Sequence, residues 1–321
     1  MPLVYSALYF YFGDGRMPLG GRSDMHLTKN CFRLLCCLLL SLCSIGFARA
    51  QGRATILYDA FGNSEILKKD WGFSALLEYG GKKILFDTGN NSKILAANAK
   101  ELHVDLKDLD FVVISHRHGD HTSGLSHLLQ VNPQVRIYAP AEPFGVFGST
   151  IPKGFYRSVD TLPKDMRYFD GGEPEAIPTG TPWPEGNFVF VDAKVEVAPG
   201  IFIIPTVSNV TGTLELRELS LALNTPRGLF MVVGCSHPGV EEILRAASAV
   251  SSHVHMLLGG LHLVKTPDAE IERLAYALRD KWKIDRIAPG HCTGEPGFAK
   301  LKQIFGDSYL YAGLGARVDI P

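Results

Sequence analysis

The fold is decided by the stretch Ser115-His116-Arg117-His118-Gly119-Asp120-His121, which directly follows the apolar run Phe111–Ile114. A short run of that kind is typical of a strand that is covered on both faces. Side chains two positions apart in an extended segment share a face, so His116 and His118 are predicted to point the same way. Two imidazoles that converge at the end of a buried strand indicate a metal site.

The second half of this stretch is predicted to serve a second ion close to the first. Asp120 and His121 lie beyond Gly119, where the chain turns into a helix expected near Thr122–Leu129. Imidazole and carboxylate together suit zinc, iron or manganese, and neutral imidazoles favour these metals over magnesium or calcium. We expect Zn²⁺, as one or two ions, with Fe or Mn as alternatives.

Three further histidines follow predicted strands later in the chain. They occur in Gly234-Cys235-Ser236-His237, Gly259-Gly260-Leu261-His262 and Pro289-Gly290-His291. Together with Asp87-Thr88-Gly89 upstream, the H-x-H-x-D-H stretch resembles the signature of the metallo-β-lactamase superfamily. The three histidine motifs and Trp71-Gly72-Phe73-Ser74 are similar to one subgroup, the 7,8-dihydropterin-6-yl-methyl-4-(β-D-ribofuranosyl)-aminobenzene-phosphate synthase-like metal-dependent hydrolases.

This resemblance implies an α/β fold, namely an αββα sandwich in which two mixed sheets are flanked by helices. The sequence pattern agrees, because a strand-rich half is followed by alternating strands and helices. We assign this domain to residues 51–321, with a Pro- and Gly-rich insertion at 140–187 that we interpret as a lid or binding loop. The last predicted strand is Leu310–Ala312.

The resemblance also assigns metal ligands residue by residue. It makes His116 and His118 ligands of the first metal, and Asp120 and His121 ligands of the second. His291, in the P-G-H motif, matches the last ligand of the second metal.

The link between the two metals stays open at this point. Many superfamily members carry a bridging aspartate in a later segment, but neither G-C-S-H nor G-G-L-H contains one here. We expect His237 to be a ligand of the first metal; alternatively, Cys235 or His237 occupies the bridging place. The substrate-binding candidates are His262 and Cys235, with Tyr156 and Arg157 in the insertion.

These assignments imply a metal-dependent hydrolase. A metal ion with an open position lowers the pKa of bound water to about 7, so a metal-bound hydroxide would attack an ester, lactone, amide or phosphoester. Asp120 is the catalytic candidate, because it would orient or deprotonate the attacking water. Two alternatives are a pterin-type transferase, which the subgroup's name implies, and a non-catalytic metal-binding protein, which the missing bridging carboxylate favours.

The first 50 residues are predicted to be an upstream extension followed by a signal peptide at about 25–50. Residues 34–48 carry no charge, follow Lys29 and Arg33, and end at Ala48-Arg49-Ala50. A basic segment, a short apolar core and an A-x-A site are typical of a secretory signal, and the run is short for a membrane span. We therefore expect a periplasmic or secreted protein that has no membrane attachment after cleavage.

The composition excludes a disordered chain and a strongly basic nucleic-acid-binding protein. The 321 residues are 46% hydrophobic and 20% charged, as in ordinary globular proteins. Residues 1–50 hold five of the 32 basic and two of the 33 acidic residues, so 27 basic and 31 acidic residues remain. We expect a small-molecule substrate and no nucleic-acid partner. Beyond residue 50 only Cys235 and Cys292 remain, too few for a disulfide framework.

Overall fold

The structure is a computed structural model. The residues it describes are 52–142, 150–153, 160–161, 163–172, 174–178, 183–209 and 215–321. By its contacts the chain divides into two units, residues 1–50 and 51–321, and every described residue belongs to the second. Within these described ranges, no helix combines the length and the apolar character needed to cross a bilayer.

Fifteen strands run through the described part of the chain. In chain order they are β1 (Gly52–Tyr58), β2 (Ser74–Tyr79), β3 (Lys82–Phe86), β4 (Phe111–Val113), β5 (Arg136–Pro140), β6 (Thr150–Pro152), β7 (Ala176–Pro178), β8 (Asn187–Val191), β9 (Val195–Ala198), β10 (Ile201–Ser208), β11 (Leu216–Thr225), β12 (Gly228–Val233), β13 (Val254–Gly260), β14 (Arg286–Gly290) and β15 (Arg317–Ile320).

Six α-helices accompany these strands where the chain is described. They are α1 (Ser92–Glu101), α2 (Gly119–Thr122), α3 (Leu125–Val131), α4 (Val240–Ala247), α5 (Asp268–Tyr276) and α6 (Glu295–Phe305). Helix α4 shows why such segments fold as they do. Its buried residues Val240, Ile243, Leu244 and Ala247 recur at the spacing of one helix face.

The strands form two large sheets and one short hairpin. The first sheet has the order β15-β1-β2-β3-β4-β5-β8, the second has the order β14-β13-β12-β11-β10-β9, and β6 pairs with β7 inside the insertion. In the second sheet β12, β13 and β14 run parallel. Their carboxyl ends therefore lie at the same edge, which is where the three later histidine motifs follow.

Three layers of apolar side chains hold this architecture together. The core between the two sheets contains Phe86 and Phe230. Helices α1 and α3 cover the outer face of the first sheet, where Leu95 and Leu125 are buried. Helices α4, α5 and α6 cover the outer face of the second. The αββα sandwich predicted from the sequence is confirmed.

Two sequence predictions about single elements are wrong. Residues Leu310–Ala312 form no strand. The Leu310 N–H donates a hydrogen bond to the carbonyl oxygen of Ile287, but this pairing is an isolated bridge between Ile287 and Tyr309 and does not continue. The terminal strand is instead β15, which pairs antiparallel with β1. It was missed because its four residues carry only a short apolar alternation.

The helix expected near Thr122–Leu129 is split into α2 and α3. The ladder of helical hydrogen bonds is interrupted because the Asp87-Thr88-Gly89 loop binds backbone groups that would otherwise pair within one helix. The Thr88 N–H donates a 2.8 Å hydrogen bond to the carbonyl oxygen of His121, and the Gly124 N–H donates a 3.3 Å bond to that of Gly89. The loop and Gly124 are so close together that a Cβ on Gly124 would lie 2.0 Å from the Thr88 carbonyl oxygen.

Candidate metal centre

The structure brings all six predicted ligands together in two neighbouring groups. The first group is His116, His118 and His237, and the second is Asp120, His121 and His291. In each group the ligand atoms lie within 4.8 Å of one another. The imidazole rings of the first group have centroid separations of 4.6 to 4.8 Å. Residues separated by more than 100 positions therefore converge on one place.

The second group places a carboxylate between two imidazoles. Oδ2 of Asp120 lies 3.3 Å from Nε2 of His291 and 3.8 Å from Nε2 of His121. The two histidines are fully buried, whereas the Asp120 side chain is 20% exposed. Asp120 is thus the member of this group that faces solvent.

The buried carboxylate of Asp87 orients the ligand-bearing stretch through contacts with Ser115 and His121. It accepts hydrogen bonds of 2.7 Å from the backbone N–H and from the hydroxyl of Ser115. It also lies 2.7 Å from Nδ1 of His121. A carboxylate at Nδ1 keeps the proton on that nitrogen and leaves Nε2 free to face an ion.

A second buried carboxylate, that of Glu218 on β11, fixes the segment that carries His237. It accepts hydrogen bonds from the backbone N–H groups of Cys235, Ser236 and His237 at 2.9, 2.7 and 2.8 Å. Ser236 has a φ of +64°, so these bonds support a conformation that is rare for a non-glycine residue. Burial raises the pKa of Glu218 to about 7.

A third buried carboxylate holds His291 in the same manner. Oδ2 of Asp59 accepts a hydrogen bond of 2.9 Å from the backbone N–H of His291, which has a φ of +45°. Burial raises the pKa of Asp59 to about 7, against the lowering effect of this bond.

Sequence reasoning missed both Asp59 and Glu218. The sequence did mark both residues, because each is an acidic residue in or next to an apolar strand. Glu218 lies within Leu216–Thr225, and Asp59 directly follows Gly52–Tyr58.

Electrostatics keeps the first group as neutral nitrogen donors. Burial lowers the pKa of His116 far below its ordinary value, and the neighbouring imidazoles lower it further. Burial likewise lowers the pKa of His118, and it lowers that of His237 to about 3. Neutral imidazoles have the free lone pairs that metal ions require.

The second group pairs an ionised carboxylate with a protonated imidazole. Burial alone would raise the pKa of Asp120, but the adjacent His291 and His121 hold it below its ordinary value. Burial would lower the pKa of His121, but Asp87 outweighs it and raises this pKa to about 9. In the absence of an ion, His121 therefore holds the proton that a cation would replace.

Unpartnered buried atoms show that the residues present fit a cation. Among the described residues, Nε2 of His237 and both ring nitrogens of His291 are buried without a hydrogen-bond partner. Each such atom costs about 1–3 kcal/mol when nothing satisfies it. The set of imidazoles with one carboxylate suits a divalent transition metal.

The substrate-binding candidates differ in position. Cys235 is buried, with Sγ 3.2 Å from Nε2 of His121, and it also groups with His237 and His262. His262 is exposed, and its ring centroid lies 4.2 Å from that of His237. Both therefore border the centre, whereas Tyr156 and Arg157 lie outside the described residues.

Trp71, in the Trp71-Gly72-Phe73-Ser74 motif, also borders the centre. The residue is 47% exposed, and its ring centroid lies 5.1 Å from that of His291. It forms an apolar wall beside the second group, where a substrate would approach.

The sandwich and the paired ligand groups at its edge define a protein of the metallo-β-lactamase fold. A family model described as the metallo-β-lactamase superfamily matches residues 72–222. Over these residues the sequence is similar to that superfamily, and the fold described above is that of its members.

Individual relatives resemble the chain over most of its length. The chain is 28% identical over 270 residues to 7,8-dihydropterin-6-methyl-4-(β-D-ribofuranosyl)-aminobenzene-5'-phosphate synthase of Methanocaldococcus jannaschii, covering 75% of this chain and 86% of that protein. The crystal structure of Tm1679, a metal-dependent hydrolase of the β-lactamase superfamily, covers 84% of this chain and 99% of its own at 25% identity and a TM-score of 0.62. YhfI from Bacillus subtilis shares the fold, with a TM-score of 0.52 at 14% identity over 84% of this chain and 99% of its own.

Proposed function

We propose that this chain is an exported metal-dependent hydrolase that acts on an ester, lactone, amide or phosphoester of a small molecule. The observation that supports it is the pair of ligand groups, one of three neutral imidazoles and one of two imidazoles with a carboxylate, set side by side at one edge of the sandwich. The likeness to a metal-dependent hydrolase over most of the chain supports the same reaction class.

His116, His118 and His237 would hold one ion, and Asp120, His121 and His291 the other. Zn²⁺ held by these residues would lower the pKa of water to about 7 and polarise the substrate oxygen. Asp120 is partly exposed and ionised at neutral pH, so its carboxylate accepts a hydrogen bond from the attacking water and orients it.

Metal content and hydrolysis together test this proposal. We expect the purified protein to bind one or two equivalents of zinc and to hydrolyse at least one member of a panel of esters, lactones, amides and phosphodiesters. His116→Ala and His118→Ala should each lose metal and reduce the rate of hydrolysis by more than about 100-fold. Substitution of a residue that merely hydrogen-bonds to a metal ligand already costs about 10–100-fold in metal affinity or activity. Full metal and full rate in these variants would overturn the proposal.

His253→Ala is a matched control, because it also removes an imidazole. His253 precedes β13, at the end of the strand opposite to Gly260, and pairs with Asp285 at 3.0 Å. We expect metal content and rate to be unchanged in this variant.

Export has its own test. Cleavage after Ala50 would leave a chain that begins at Gln51 and is recovered outside the cytoplasm. Intact mass and amino-terminal sequencing of the protein from fractionated cells give the answer. If the protein were cytoplasmic and retained residues 25–50, the export part of the proposal would be wrong, and the proposed metal-dependent hydrolysis would be unaffected.

A second candidate is a pterin-type transferase, which the similarity to the Methanocaldococcus jannaschii synthase favours. It would join a pterin methyl group to an aminobenzene ribotide in the cytoplasm. Incubation with both substrates, with the joined product detected by mass spectrometry, separates it from a hydrolase.

A further inference from the structure

We propose that Cys235 is a metal ligand whose thiolate connects the two ligand groups, in the place where the resemblance leads one to expect a bridging carboxylate. This inference rests on the proposed metal centre and concerns its composition. It changes the donor set from histidine and aspartate alone to one that contains sulfur.

The position of Cys235 between the groups is the first argument. Its Sγ belongs to three of the five clusters of ligand atoms found among the described residues. One cluster joins it to His116 and His121, another to His237 and His262, and another to His291 and Cys292. The sulfur therefore lies within ligand distance of members of both groups.

The distance to the second group is the next argument. Sγ lies 3.2 Å from Nε2 of His121, the nitrogen that Asp87 leaves free. Zinc binds sulfur at about 2.3 Å and nitrogen at about 2.0 Å, so two such atoms on one tetrahedral ion stand about 3.5 Å apart. The observed spacing suits two ligands of a single ion.

The charge of the donor set also calls for another anion. Asp120 is the sole carboxylate in the two groups, and no acidic residue occurs from 259 to 263, where a later bridging aspartate would be expected. Two divalent ions side by side need more negative charge than one carboxylate supplies. A thiol that binds a metal loses its proton and provides that charge.

The backbone of Cys235 is already fixed for this role. Its side chain is 3% exposed, and its N–H donates to the buried carboxylate of Glu218 at 2.9 Å. Gly234 before it has no room for a side chain, since a Cβ there would lie 2.2 Å from the hydroxyl of Ser115. The sulfur is thereby held toward the ligands before any ion binds.

Cys292 is the competing thiol, because it shares one cluster of ligand atoms with Cys235 and His291. It is as buried as Cys235, but its Sγ donates a hydrogen bond of 3.7 Å to the Cys235 carbonyl oxygen. Both cysteines are free thiols. A serine at position 292 keeps this bond and removes one sulfur from the same neighbourhood.

Cobalt substitution tests the proposal without any substrate. We expect the purified chain loaded with Co²⁺ to show a near-ultraviolet thiolate-to-cobalt charge-transfer band beside the visible d–d bands. Cys235→Ser should lose the charge-transfer band, keep d–d bands from the histidines, and bind cobalt at least about tenfold more weakly. Cys292→Ser should keep both sets of bands.

X-ray absorption of the zinc-loaded wild-type chain supplies a second measurement, which does not depend on how well a variant folds. We expect a zinc–sulfur distance of about 2.3 Å. Cobalt bound with d–d bands but no sulfur band, or a sulfur band lost only in Cys292→Ser, overturns the assignment and leaves the hydrolase proposal standing. No binding of either metal overturns both.

Discussion

The carboxylate of Glu218 accepts a 2.8 Å hydrogen bond from the backbone N–H of His237. Through this bond a strand in the middle of the second sheet sets the position of a predicted ligand. Asp59 likewise accepts a hydrogen bond from the backbone N–H of His291, whereas Asp87 orients the ring of His121 through Nδ1. The centre therefore depends on buried acids that are not in either ligand group.

Replacing Glu218 with glutamine should destabilise the protein. The variant keeps one acceptor oxygen, so at least one buried N–H of the Cys235–His237 segment loses its partner, at a cost of about 1–3 kcal/mol. Urea titration of the chelator-treated protein measures the fall in the free energy of unfolding. Glu272→Gln, which breaks only an exposed 3.0 Å pair with Lys300, should change it by less than about 0.5 kcal/mol. Equal stability of the two variants would contradict the role of Glu218.

The pKa of Asp59, about 7 in the folded protein, predicts a pH dependence of stability. The unfolded value is about 3.9, so between about pH 4 and 7 the folded chain retains a proton that the unfolded chain releases. The contribution of Asp59 to the free energy of unfolding therefore falls as the pH rises through this window.

Asp59→Asn isolates this effect because asparagine does not titrate. The free energy of unfolding of the metal-free wild type, minus that of the variant, should decrease with rising pH by at most about 1.4 kcal/mol per pH unit. Urea titrations across the window measure it. A difference that is flat, or that rises with pH, would show that Asp59 is not protonated in the folded protein.

The ion pair between Arg117 and Glu142 should couple the ligand stretch to the end of β5. Nη1 of Arg117 lies 2.7 Å from Oε2 of Glu142, and the two side chains are 17% and 0% exposed. Arg117→Met removes the 2.7 Å ion pair from a buried carboxylate, which costs about 3–5 kcal/mol. In a double-mutant cycle, Glu142→Gln in the Arg117→Met background should recover part of this loss. Strict additivity of the two changes would rule out the coupling.

Gly259→Ala should disrupt the edge of the second sheet from which the later histidines project. Gly259 has a φ of +120°, and a Cβ there would lie 2.0 Å from the carbonyl oxygen of Val233. We expect loss of several kcal/mol or of soluble protein, measured by thermal unfolding and expression. Gly80→Ala is the control: its φ is +59° with nothing within 4 Å, so it should cost only about 1–2 kcal/mol.

Local patterns predicted much of the fold. The apolar run before His116, the i and i+2 spacing to His118, and the later alternation of strands and helices are properties of neighbouring residues. They indicated sheets flanked by helices and the ligand-bearing stretch, whereas the αββα sandwich was what the resemblance implied. The break between α2 and α3 was not predictable in this way, because it depends on the Thr88 N–H from another part of the chain.

The residue types and their local spacing supply the chemistry available here, namely imidazoles, one carboxylate and two thiols, which lie in short segments that follow strands. Only the tertiary structure decided which of them meet. Parallel pairing of β12, β13 and β14 brings residues 235, 262 and 291 to one edge, and buried carboxylates from β11 and from the end of β1 set their direction. The physical reason is that strand pairing and burial act between residues far apart in the chain, which no local spacing encodes.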